Sequence, residues 1–123
     1  MNLLPALFVP ALLMACAPRA ATYTTIPVQD LRAAQEKGEY VLDVRTDAEY
    51  KEGHVPGAAL LPLADLDRRM NEVPKDRPVY VICRSGTRSA QASAQLVKAG
   101  YTRVFNVGGG MNAWTAAGYP VAR

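Results

Sequence analysis

Apolar positions along this chain follow two rhythms. Short runs, Tyr40-Val41-Leu42-Asp43-Val44, Ala58-Ala59-Leu60-Leu61, Val79-Tyr80-Val81-Ile82 and Arg103-Val104-Phe105-Asn106-Val107, are largely apolar, and glycine, proline or charge bounds them. They read as buried strands. Between them the apolar residues recur at helical spacing. Ile26 to Lys37 predicts a helix, with Pro27 suited to its first turn, Val28, Leu31 and Ala34 near one face, and Gly38 as its stop. Thr46-Asp47-Ala48-Glu49 has capping-box spacing and predicts a short helix through Lys51. Leu63, Leu66 and Met70 mark another, Ala90 to Ala99 a further one stopped by Gly100, and Gly108-Gly109-Gly110 leads into a last one through Trp114. Strands alternating with helices at these lengths predict an α/β fold: a parallel central sheet with helices on both faces.

The first stretch stands apart. Residues 2–15 are uncharged and almost wholly apolar, yet fall short of the roughly 20 residues a spanning helix needs. The length suits the apolar region of a secretory signal, and small residues follow in Ala15-Cys16-Ala17. Leu13-Met14-Ala15-Cys16 resembles a bacterial lipobox, which implies lipidation of Cys16 and a membrane tether. The organisation expected is a signal peptide over 1–16, of lipoprotein type ending at Cys16 or else simply cleaved, a linker over 17–25, and one domain over 26–123. Such a protein is exported to the periplasm or cell envelope.

Composition narrows the chemistry. The chain has 123 residues, half of them hydrophobic, enough for one domain with a real core. A net charge of +3 is spread from Arg19 to Arg123 with no basic stripe among aromatics, which argues against a nucleic-acid partner. One histidine, His54, and two separated cysteines, Cys16 and Cys83, make neither a zinc site nor a C-x-x-C pair, so no metal or cofactor is expected.

The remaining signal is Cys83-Arg84-Ser85-Gly86-Thr87-Arg88-Ser89. A cysteine at a strand end, followed by a glycine turn into a helix N-terminus, sits where backbone N–H groups form an anion-binding nest. Arg84 and Arg88 add positive potential. Each feature lowers a thiol pKa and favours the thiolate nucleophile, whereas a merely packed cysteine has no use for a cationic rim.

The same residues, with others, resemble the single-domain rhodanese (thiosulfate sulfurtransferase-like) family. Leu42-Asp43-Val44-Arg45 looks like its first signature, Glu49-Tyr50 with Gly53-His54-Val55-Pro56-Gly57-Ala58 its second, Cys83 to Ser89 its active loop, and Gly109-Gly110 before Ala113-Trp114 its last. The resemblance implies a rhodanese-like α/β domain. It also implies transfer of a sulfane sulfur from a small anionic donor such as thiosulfate, through a Cys83 persulfide, to a thiol or to cyanide. Arg84, Ser85, Gly86, Thr87 and Arg88 would hold the donor. An exported persulfide carrier or sulfur-sensing module with little turnover would look almost the same. Cysteine phosphatases close their loop with one residue more than the four that separate Cys83 from Arg88, so a phosphatase is disfavoured. Arg84 with Arg88 resembles the loop of thiosulfate-using members. Arg45 is expected either as a further anion-attracting side chain or as the partner of Asp43 or Glu49. Asp43 and His54 are expected to support neighbouring loops rather than to react.

Overall fold

The computed structural model describes residues 22–123, and Pro5 alone of the segment before them. The signal peptide, Cys16 and residues 17–21 of the expected linker lie outside the described residues. The end of that linker is not a tether. Thr24–Ile26 form strand β1, paired in parallel with the last strand, Thr24 opposite Phe105 and Ile26 opposite Val107. An edge strand this short and half-exposed takes its conformation from a partner eighty residues away, which local periodicity does not register. Helix α1 consequently starts later than expected, at Val28, and runs to Glu36. Pro27 is its extended N-cap, and its carbonyl accepts from the N–H groups of Asp30 and Leu31.

The rest follows in order: β2 (Tyr40–Asp43), α2 (Asp47–Glu52), β3 (Ala59–Leu60), α3 (Leu66–Arg69) between two 3₁₀ turns, β4 (Val79–Ile82), α4 (Thr87–Lys98), β5 (Val104–Val107) and α5 (Gly110–Ala116). The capping box of α2 forms as its spacing predicts, Thr46 Oγ1 accepting from the Glu49 N–H while the Glu49 carboxylate accepts from the Thr46 N–H. Helix α4 begins at Thr87, three residues ahead of the expected Ala90. Its first turn is Thr-Arg-Ser, polar because it serves the loop before it.

All strand pairs are parallel, in the order β1-β5-β4-β2-β3. Helices cover both faces of the sheet in a single α/β domain, as expected. On one face Leu42, Val79 and Val81 pack with Leu66, Ala92, Leu96 and Tyr101; on the other Val41 and Ile82 pack with Leu31, Met111 and Trp114. The alternation along β4 puts Cys83 in register with Val79 and Val81, on the α4 side. From β2 the chain proceeds one way across the sheet to β3, and from β4 the other way to β5. The strand order therefore reverses between β2 and β4, and ligands of open α/β sheets bind outside the carboxyl ends of strands at such a point. Asp43 pairs with Ile82, so the loops carrying Arg45 to Glu49 and Cys83 to Arg88 leave the sheet side by side.

Candidate active site

Cys83 is the first residue after β4 and is 1% exposed. Gly86, at φ +107, reverses the chain and aims its own N–H at the sulfur, 3.1 Å away. The Ser89 hydroxyl lies 3.3 Å from Sγ, and the N–H groups of Ser85 and Ser89 also face it. Burial pushes the thiol up; the Ser89 hydroxyl and these three N–H groups outweigh that and hold it below its ordinary value. Ser89 is itself fully buried, and its carbonyl accepts from Ser93 Oγ at 2.7 Å.

The loop's N–H groups can turn inward because its carbonyls are taken up elsewhere. The first turn of α5 donates to them, Met111 N–H to the Cys83 carbonyl at 2.8 Å and Asn112 N–H to that of Arg84 at 3.0 Å. That approach requires Gly110. At φ +52, a Cβ there would lie 2.6 Å from the Arg84 carbonyl carbon and collide with the Cys83 oxygen. Gly110 thus lets a helix end press against the nucleophile's backbone.

Two carboxylate–arginine groups flank the loop. Asp43 and Arg45, 0% and 4% exposed, form a bidentate pair with contacts of 2.8 to 3.1 Å. The Asp43 carboxylate also accepts the Arg45 N–H, and Arg45 Nη2 donates to the Gly53 carbonyl at 2.8 Å. Arg45 therefore ties the end of α2 to β2. Of its two expected roles, the structure places it as the partner of Asp43 rather than as a free cation of the rim, because a guanidinium this buried needs a carboxylate.

The other group is centred on Glu49. Its carboxylate receives Arg88 in a fork at 2.7 and 2.8 Å and Arg84 Nε at 3.1 Å. Arg88 above all, opposed by partial desolvation and helped by Thr46 and Arg84, holds the Glu49 carboxyl well below the usual carboxylate range. Arg84 and Arg88 were expected as donor-binding cations. Both stand at the loop, but two positive charges share one negative, so the rim carries a net +1 rather than +2. A cleft of about 200 Å³ opens beside it, lined by Arg45, Glu49, Arg84, Met111, Asn112 and Arg123 among others.

His54 stacks on Tyr50 with ring centroids 3.6 Å apart, its Nδ1 is 2.8 Å from the Tyr50 carbonyl, and its backbone bridges to Ala122. It buttresses the turn after α2, away from the sulfur. Ser85 and Thr87 contribute backbone to the loop and the helix start. Sequence reasoning includes Ser89 in the active loop and Glu49 in a signature and as an alternative partner of Arg45, but gives neither a role toward the sulfur or its arginines. The signal for Ser89 is two hydroxyls, Ser89 and Ser93, one turn apart on an otherwise apolar buried face with Ala92 and Leu96.

A cysteine sulfur ringed by a hydroxyl and backbone N–H groups, at the sheet's reversal point, is the geometry on which the likeness to known proteins bears. The family model for the rhodanese-like domain matches residues 27–117. The chain belongs to the rhodanese-like family. This rhodanese-like domain is 46% identical over 90 residues to a sulfurtransferase of Allochromatium vinosum, covering 73% of this chain and 84% of the relative. It is 37% identical to a putative sulfur carrier protein of Bacillus subtilis, over 75% of this chain and 52% of that one. A rhodanese-related protein from Thermoplasma volcanium superposes with a TM-score of 0.75 at 34% identity, covering 81% of this chain and 98% of the other.

Proposed function

We propose that this rhodanese-like domain moves a sulfane sulfur from a small anionic donor, such as thiosulfate, to a thiol or to cyanide through a persulfide on Cys83. The observation that carries this is the sulfur's setting: one hydroxyl and three backbone N–H groups converge on Sγ and favour the thiolate. The Cys83 thiolate attacks the outer sulfur of thiosulfate. A sulfur–sulfur bond forms to Cys83, the original one breaks, and its electron pair leaves with sulfite. The persulfide's terminal sulfur keeps a negative charge in the same nest. Attack on it by cyanide or a thiolate then returns the electron pair to Cys83. One difficult transfer becomes two easier ones, and no step needs a protein base, which suits a site whose flanking carboxylates, Asp43 and Glu49, are already engaged by arginines.

Incubation with thiosulfate should add one sulfur, about 32 Da, to the intact mass of the purified protein. The gain should be absent in Cys83→Ser and discharged by cyanide at steady turnover. Absence of any adduct would refute the proposal. A carrier role has its own support, in the near-complete burial of Cys83 and in the relative named a putative sulfur carrier. It is distinguished by a persulfide that forms but that cyanide barely discharges.

We also propose, from residues 1–16 alone, that the domain works in the periplasm or cell envelope, tethered through a lipidated Cys16. The mass of the N-terminal peptide recovered from the membrane fraction tests this. A chain that retains Met1 to Ala15 and stays in the cytosol would overturn it.

A further inference from the structure

Glu49 answers to three neighbours at once. It is the third residue of α2 and closes that helix's capping box, yet its carboxylate oxygens also take three hydrogen bonds from the arginines that bracket the nucleophile loop. A capping box needs no arginine and works equally well with glutamine. The arginine contacts therefore ask for a separate account. Glu49 is 16% exposed on its side chain, whereas Arg84 and Arg88 are 53% and 32% exposed. The carboxylate lies beneath the two guanidiniums, which form the open surface of the rim. An arriving anion meets the arginines first, with an ionised carboxylate behind them.

We infer that Glu49 is a specificity-determining residue of the sulfur-donor site: by holding the rim at one net positive charge it favours monoanionic sulfane donors, such as thiosulfonates, over dianions relative to what two uncompensated arginines would select. The inference rests on the reading of Cys83 as the sulfur acceptor. Each unit of donor charge is attracted by the arginines and repelled by Glu49, which lines the same cleft as Arg84, and in such a partly desolvated setting a single charge is worth a large factor in rate. The chemistry is common to both donor types. Cys83 sulfur bonds to the outer sulfur, the donor's sulfur–sulfur bond breaks, and its electron pair departs with sulfite from thiosulfate or with sulfinate from a thiosulfonate. Only the charge carried into the site differs, two negatives against one.

The test compares kcat/KM for thiosulfate and for methanethiosulfonate, at saturating cyanide, in the wild-type protein and in Glu49→Gln. Glutamine keeps one oxygen for the Thr46 N–H and Arg88 Nη1, and removes the charge together with the acceptor for Arg84 Nε and Arg88 Nη2. The thiosulfate-to-methanethiosulfonate ratio should rise roughly tenfold in the variant, and its thiosulfate kcat/KM should fall more steeply with added salt. Thr46→Ala, which loosens the capping box and leaves the charge, should leave the ratio where it is. A ratio within twofold of wild type in Glu49→Gln, or an equal rise in Thr46→Ala, would overturn the inference while leaving Cys83 sulfuration intact. Failure of the wild-type protein to take sulfur from either donor would instead sink the reading of Cys83 itself, and this inference with it.

Discussion

Asp43 with Arg45, and Glu49 with Arg84 and Arg88, are built from the same chemistry on the same side of the domain. Burial separates them. The first pair has side chains 0% and 5% exposed and locks β2 to the end of α2. The second group has one carboxylate under two arginines that reach solvent. In the interior a guanidinium and a carboxylate are costly to desolvate and cannot part, so they serve as architecture. At the rim, water screens each contact, little stability depends on it, and the charges remain available to a ligand. A carboxylate–arginine contact is a fastener at one depth and an electrostatic control at another.

Breaking the fastener gives the largest effect. Asp43→Ala leaves Arg45 charged, buried and unpartnered, and should destabilise the domain by about 3–5 kcal/mol. It is measured as a drop in urea midpoint at unchanged slope. Glu49→Gln in the same assay should cost about 1 kcal/mol at most. Equal losses in the two variants would erase the distinction of depth.

The next effect is on chemistry. Ser89→Ala removes the hydroxyl donor to Sγ and leaves the three N–H groups. The thiol then moves up toward its ordinary value. Because the reacting form is the thiolate, the rising limb of rate against pH should shift to higher pH, by about one unit for a donor contributing about 1.4 kcal/mol to the charged form. Activity near neutrality should fall while the alkaline plateau is kept. A loss equal at every pH would mean that Ser89 only packs.

The order of strands and helices was legible because β4 carries an uninterrupted apolar run, β2 and β5 carry runs with one polar residue each, Asp43 and Asn106, and the helices carry clear faces. Cys83 was legible because a strand, a glycine turn and a helix start are local features. What local pattern left out was made by distance. β1 exists only through β5, and the inward turn of the loop's N–H groups depends on α5 capturing the carbonyls of Cys83 and Arg84. The arginines were found as residue types, but their pairing with Glu49, thirty-five and thirty-nine positions earlier, depends on β2 and β4 lying side by side. Sequence marks the nucleophile; the sheet's reversal decides which charges surround it.

The smallest effect tests whether the two jobs of Glu49 come apart. Thr46 Oγ1 caps α2 by accepting from the Glu49 N–H at 3.2 Å, and touches the carboxylate at 3.1 Å. Thr46→Ala removes both contacts, but the Arg88 fork and the Arg84 bond still fix the carboxylate. Loss of such a cap costs about 1 kcal/mol, here on a helix of six residues at the surface. The expected outcome is a small fall in urea midpoint with the pH profile of sulfur transfer unmoved. If that profile shifts as it does in Ser89→Ala, α2 positions the nucleophile loop mechanically, and the rim group belongs with Asp43 and Arg45 as architecture. If stability alone changes, the cap belongs to the helix and the charge to the site.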